Sequence, residues 1–345
     1  MPGRFPPPSD SGPGQGWGPP PDNTGWQSQP PRGFYPLDIG RVFELTFSLF
    51  RFRWRTLVGV SLLVMVPISA IVAAASAYQV SSPDWVAQFA GLTASQRLDA
   101  YWNTLSTSLP VSIAYGLVVG ILSYLGSGAL TDAAAKTFVG KPAGAWGSLR
   151  RSLGKFLTFG AIYIFIFIVE MVLIAIGIVA GSAVFLTSAG GGRIIAGPAV
   201  FLGLIVFVAI AAVLVFLSIR WSLAAQAVMI ESAGAMSALR RSWHLVAGSG
   251  WRVLGYVLGF GLLVGLIAAL LSVVGVLLFN PIRFVGFTQV SIDPVRVAIS
   301  TFISGVIAGT LIPIPTIATT LLYYDLRFRK GEQVPEPGRG SVPEQ

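Results

Sequence analysis

The sequence predicts an all-α integral membrane protein: six transmembrane helices arranged as three parallel two-span repeats, each led by a basic amphipathic interfacial helix. Three observations carry this prediction. Hydrophobic residues make up 54% of the chain and charged residues 11%, with a mean hydropathy of +0.74, a balance too apolar for a water-soluble domain. Several apolar runs exceed the roughly 18 residues that cross a bilayer. The third observation is a repeat: the segment AWGSLRRSLGKFLTFG at Ala145 returns 90 positions later in AMSALRRSWHLVAGSGWR, so that Arg150-Arg151-Ser152 falls on Arg240-Arg241-Ser242. Between Ala134 and Ser152, nine of nineteen positions match their partners 90 residues on, five of them Ala or Gly. The repeat is diverged.

The elements follow in order. Residues 1–35 hold ten Pro and show no apolar periodicity; such a segment buries too little surface to offset its ordering entropy and is expected to be a disordered tail. Lacking an apolar core segment, it is not a signal peptide. From Pro36 the pattern changes. Asp38 is placed as an N-cap, Phe43, Phe47, Phe50 and Trp54 recur at 4-3-4 spacing, and Arg51, Arg53 and Arg55 accumulate, which predicts a basic amphipathic helix leading into the first span. That span, Leu57 to Tyr78, is expected to kink at Pro67.

Gln79 to Leu109 is polar enough to leave the membrane, with a capping box at Thr93-Ala94-Ser95-Gln96 and Trp85, Phe89, Tyr101 and Trp102 suited to the interface. The second span runs from about Pro110 to Leu130. The third run, Leu157 to Thr187, would measure roughly 46 Å against a hydrocarbon core of about 30 Å, so it tilts or projects. Gly190-Gly191-Gly192 turns the chain into the fourth span, Ile194 to Ser218. The fifth occupies about Trp251 to Phe279 and the sixth Val297 to Tyr323. Residues 36–330 thus form the membrane domain, and 331–345 a second disordered tail.

Charge sets the orientation. The formal net charge is +9, and the Lys and Arg residues cluster at the ends of apolar runs, a placement that fits topology and anionic lipid headgroups and speaks against nucleic acid. Arg41, Arg51, Arg53, Arg55, Lys136, Lys141, Arg150, Arg151, Lys155, Arg220, Arg240, Arg241, Arg252, Arg327, Arg329 and Lys330 fall on the side of the termini; the other side has Arg97, Arg193, Arg283 and Arg296. The positive-inside rule places both termini in the cytoplasm of a multi-pass cell-membrane protein. Each repeat unit is then a lead helix, an outward span, a turn and an inward span. Trp146, Leu149, Leu153 and Phe156 (3-4-3), like Met236, Leu239, Trp243 and Val246, form apolar faces expected to lie on the membrane.

Chemistry is sparse. With no Cys and a single His, the chain has no disulfide, no thiolate nucleophile and no multi-His metal cluster; no catalytic residue, metal or cofactor is expected. Glu170 lies roughly 20 Å along the third span, near mid-bilayer, where an acid costs on the order of 3 kcal/mol and should face the bundle interior. Pro313 and Pro315 deprive the carbonyls of Gly309 and Leu311 of their helical donors and predict a broken sixth span. Glu170, Pro313 and Pro315 are therefore the candidate intramembrane polar site. Arg150, Arg151, Arg240, Arg241 and His244 are the candidate lipid-headgroup contacts. The pairs Gly116/Gly120 and Gly305/Gly309 permit close helix approach.

The opening PLDIGRVFELTFSLFRFRWRTLVGVSLLVMVP, the central RWSLAAQAVMIESAGAMSALRRSWHLVAGSGWRVLG and the closing LLYYDLRFRK resemble the membrane domain associated with glycerophosphoryl diester phosphodiesterases, in its stand-alone actinobacterial form, over about Pro36 to Lys330. In fused members a soluble barrel carries paired His and acidic metal ligands. With one His, and fifteen residues after Lys330, that chemistry does not carry over. The resemblance implies a non-enzymatic membrane module, a lipid- or envelope-associated scaffold or accessory protein whose partners are membrane lipids. A small-molecule or lipid transporter with its site near Glu170 and the Pro313/Pro315 break is the alternative.

Overall fold

A computed structural model of the chain describes residues 37–81, 93–189, 193–279 and 293–335. The N-terminal tail, the segment with Trp85 and Phe89, the Gly190-Gly191-Gly192 turn and the last ten residues lie outside this set. Among the described residues there are ten helices and no strand. Six stretches are long and apolar enough to cross a membrane: Gly40–Gln79, Ser106–Phe138, Phe156–Ala180, Phe201–Glu231, Gly250–Leu271 and Pro294–Arg329. They are compatible with a multi-pass membrane protein.

Helix α1 (Ile39–Ser81) is two helices merged at Arg53, where φ is −128° and ψ 33°. This break lies at the junction of the basic segment with the apolar span, and Pro67, where a kink is expected, lies within the helix. The first part of α1 sets an aliphatic stripe against the bundle. Val42, Leu45 and Leu49 are buried, whereas Phe47 and Trp54 of the aromatic stripe are exposed. Phe43 and Phe50, the other two rings of the stripe, are partly buried against the core, Phe43 stacked on Phe260 with ring centroids 4.2 Å apart.

Helix α2 (Ala94–Phe138) starts with the predicted capping box, in which Thr93 N–H donates to Gln96 Oε1 at 3.0 Å. It then continues through Pro110, so the polar segment before the second span is helical from Ala94 onward. Its glycines make room for other helices. A Cβ on Gly120 would lie 1.8 Å from Cζ of Tyr163, and one on Gly116 3.3 Å from Phe167. Both rings belong to α4 (Phe156–Ala189). Gly305 and Gly309 admit α1 in the same way, through Ser69 and Met65.

Two short helices, α3 (Ala145–Leu153) and α7 (Ala235–Val246), precede α4 and α8 (Gly250–Phe279). Their exposed residues include Trp146 and Leu153 on α3 and Met236 and Trp243 on α7, while Leu239 and Val246 are buried. The faces set against the bundle carry Ser148 and Ser152 on one and Ala238, Leu239, Ser242, Leu245 and Val246 on the other. Ser152 Oγ donates to Leu125 O at 2.7 Å, and Ser242 Oγ to Arg220 O at 2.7 Å. The Ser that follows each Arg pair thus tethers its short helix to a preceding long one.

Helix α5 (Arg193–Trp221) is followed by α6 (Ala224–Glu231), whose residues from Ala224 to Met229 are all buried. The sixth span is broken as predicted, into α9 (Pro294–Gly309) and α10 (Pro313–Arg329). The carbonyls freed by the two prolines find donors inside the protein: Ser61 Oγ reaches Gly309 O at 2.5 Å, and Ile314 N–H reaches Leu311 O at 3.0 Å. A break satisfied in this way is a fixed structural kink.

The continuous core gathers the first part of α1, the end of α2, the starts of α4 and α8, most of α6 and one face each of α7 and α10. All of these lie towards the end of the bundle that carries Leu37 and residues 331–335. Away from it, apolar side chains such as Ile174, Val179, Phe207 and Leu266 are exposed. The segment expected to begin a free C-terminal tail is held at its start, where Glu332 pairs with Arg241 and with Arg327 (2.9 Å). The hydrogen bond from Arg241, with Arg327 beside it, holds the Glu332 carboxyl below the usual carboxylate range.

Candidate functional site: a polar chamber in the bundle

Ser123, Ser127 and Thr131 recur every four residues on α2, and Ser218, Ser222 and Gln226 do the same through α5 and into α6. A spacing of four keeps side chains on one helix face. The two stripes border one cavity of about 370 Å³, which is also lined by Glu170 of α4 and by Thr316 and Thr319 of α10. Tyr124 and Trp221 contribute aromatic walls, and Ile166, Leu214 and Leu217 apolar ones. The volume falls at the lower end of the range for small-molecule pockets, roughly 300–1,000 Å³.

The wall hydroxyls share a bonding pattern. Ser123 donates to Val119 O, Ser127 to Tyr124 O, Ser218 to Leu214 O and Ser222 to Ile219 O, each at 2.8 Å. Thr316 and Thr319 likewise donate to carbonyls of their own chain segment, Ile312 O and Thr316 O, at 3.1 Å. Since Thr319 donates its proton there, its oxygen is free to accept Gln226 Nε2–H at 3.0 Å. That fixes the amide orientation. Gln226 Oε1 and Thr131 Oγ1 are buried and have no hydrogen-bond partner among the described residues. Glu170 likewise has neither an ion pair nor a hydrogen bond among them.

Of the three candidate intramembrane residues, Glu170 lines the chamber. Pro313 and Pro315 do not; Pro313 is buried in the core, and the broken span contributes Thr316 and Thr319 from the turns that follow. Sequence reasoning missed the serine and threonine stripes. Their four-residue period inside apolar runs was the signal that could have found them.

A second polar assembly occupies the charged end of the bundle and rests on three acids. Asp132, 3% exposed, accepts from Lys136 at 2.5 Å and Arg151 at 2.8 Å. Asp325, 0% exposed, faces Arg329 at 2.9 Å and Arg252 at 3.2 Å and accepts Leu37 N–H at 2.7 Å. Glu231 takes the Arg241 guanidinium, the Tyr323 hydroxyl at 2.5 Å and Arg327 at 3.5 Å. Hydrogen bonds to Glu332, opposed by burial and supplemented by Glu231, raise the Arg241 pKa further. Lys155 donates to Val228 O and Ser232 Oγ, and burial, with Arg151 nearby, lowers its pKa.

This assembly divides the candidate headgroup residues. Arg151 and Arg241 are engaged in ion pairs within the protein, because each faces an acid near the end of a preceding helix. Arg150, Arg240 and His244 are exposed, and the His244 carbonyl accepts from Lys330. Among the described residues no cluster of three or more His, Asp or Glu is placed to hold a metal ion.

In comparisons with known proteins, the family model of a domain of unknown function (DUF7847) matches residues 56–324. No curated protein and no solved structure matches the chain.

Proposed function

The chain belongs to the DUF7847 family, and from that premise we propose that it is a non-enzymatic, lipid-associated membrane module with a ligand-binding chamber in its bundle. The observation that carries this reading is the cavity of about 370 Å³ with Glu170 and two unpartnered buried polar atoms on its wall. Buried polar groups are ordinarily hydrogen-bonded, and leaving one unmade costs roughly 1–3 kcal/mol. A bound molecule that supplies the missing partners removes that cost. The inventory of the wall favours binding over reaction, since no wall hydroxyl is hydrogen-bonded to a base that would activate it.

The transporter reading is favoured by one specific feature: Glu170 sits deep in its span and is unpaired among the described residues. Both readings share the chamber, and both are tested by filling it. Ser218→Phe places a ring in the cavity from an exposed position on α5. In native mass spectrometry of the purified chain, the variant is expected to lose a co-purifying small molecule or lipid that the wild type retains, with an unchanged elution profile. Equal retention by both would remove the chamber as a binding site.

The membrane arrangement is part of the same proposal. The six spans form three parallel two-span units led by α1 up to Arg53, α3 and α7, and the charged end faces the cytoplasm. The offset of 90 residues between the two Arg-Arg-Ser motifs and the matching serine tethers support the repeat; the positive-inside count supports the orientation. Anionic headgroups are assigned to the exposed Arg150, Arg240 and His244, together with Arg51 and Arg55. The likeness of residues 36–67, 220–255 and 321–330 to phosphodiesterase-associated membrane domains supports the lipid-associated reading. Because the chain has no Cys, single cysteines at Ser82 and Ser249 report orientation. An impermeant thiol reagent applied to intact cells should label the first only; labelling of the second alone would reverse the topology.

A further inference from the structure

We propose that the chamber is selective for an ammonium group, carried either by a free amine or by the headgroup of an aminophospholipid; this rests on the reading of the chamber as a ligand site. The wall is rich in acceptors, although the Thr131 hydroxyl, unpartnered among the described residues, can also donate. Six hydroxyls around it already donate to backbone carbonyls, so what they offer inward is oxygen lone pairs. Gln226 adds a carbonyl oxygen without a partner among the described residues, fixed in direction by the hydrogen bond that its Nε2–H donates to Thr319 Oγ1. Glu170 adds a carboxyl group without a counter-charge among the described residues, and no Lys, Arg or His lines the cavity.

An ammonium has three donors and no acceptor, the complement of such a wall. It also supplies the positive charge that makes an ionised Glu170 tenable in the bundle interior. Tyr124 and Trp221 present aromatic rings to the same space, and aromatic rings attract cations. A phosphate or carboxylate ligand would meet few donors, no cation and the Glu170 carboxyl group instead. The charged end, by contrast, holds basic residues in ion pairs, so the phosphate of an aminophospholipid would be met by exposed arginines outside the chamber.

The test uses the full chain in nanodiscs of mixed phosphatidylethanolamine and phosphatidylglycerol, read by native mass spectrometry, and in phosphatidylglycerol alone, read by thermal shift with added ethanolamine or ethylene glycol. Enrichment of phosphatidylethanolamine identifies a lipid source, and stabilisation by ethanolamine but not ethylene glycol a free amine; either supports the proposal. Glu170→Gln keeps the shape and should weaken the ammonium probe about 30-fold, the low end for removing one partner of a buried, hydrogen-bonded charge pair. Comparison among probes on the wild type does not depend on the variant folding. Binding of phosphatidylglycerol or ethylene glycol as well as the amines, abolished by Ser218→Phe, would overturn ammonium selectivity and leave the chamber. Binding of no probe altered by Ser218→Phe would overturn both.

Discussion

Replacing Asp325 by Ala is expected to destabilise the protein by about 3–5 kcal/mol, the cost of breaking a buried ion pair by removing one partner. Its carboxylate is fully buried and joins three separate parts of the chain: Leu37 N–H before α1, Arg252 at the start of α8 and Arg329 at the end of α10. Truncation leaves two guanidinium groups facing one another across an emptied site and orphans a backbone donor. Arg252 has little elsewhere to turn, since its remaining contacts are the Leu37 carbonyl and the face of Tyr256. Domains are typically stable by only about 5–15 kcal/mol, so the variant should show a sharply lowered melting temperature in detergent and a poor monodisperse yield. Asp325→Asn retains an acceptor for Leu37 N–H and should fall between the wild type and the alanine variant. A melting temperature for Asp325→Ala within a degree of the wild type would show that the cluster does not hold the helices together.

The second large effect is expected at Gly120. A Cβ there would overlap the Tyr163 ring, whose hydroxyl donates to Gly116 O at 2.8 Å and so cannot swing aside freely. Gly120→Val should therefore cost at least the roughly 1–3 kcal/mol of overpacking. Tyr163 stands 5.5 Å from Tyr124, centroid to centroid, and Tyr124 lines the chamber, so the same substitution should also disturb ligand retention. Tyr163→Ala in the Gly120→Val background should recover stability, because the ring that clashes is gone. A double variant no more stable than Gly120→Val alone, by thermal melting, would place the clash elsewhere.

The spans were legible because burial in a membrane demands long apolar runs, and the capping box at Thr93 because its chemistry is local. The broken sixth span was equally legible, since a proline removes a donor wherever it stands. What closes that break was not: Ser61 lies 248 positions from Gly309, and nothing in either neighbourhood announces the pairing. The bundle-facing sides of the lead helices were not legible for a related reason. Periodicity finds an apolar stripe, but an interfacial helix has two neighbours, protein and surroundings, and small residues such as Ser152 and Ser242 go to the protein. Glu170 was found as an isolated acid in an apolar run. The acceptor wall around it depends on which faces of five helices converge, and that information is tertiary. Asp132, Glu231 and Asp325 passed unnoticed because a count of basic residues alone reads topology and misses the acids that pair with them.

A density map of the full chain in lipid nanodiscs decides whether the proposed chamber beside Glu170 holds a ligand. Non-protein density is expected within hydrogen-bond distance of Glu170 and Gln226 Oε1, continuous with the space between the serine stripes of α2 and α5. A map in which Glu170 faces lipid, with the chamber filled by its own side chains, would contradict it.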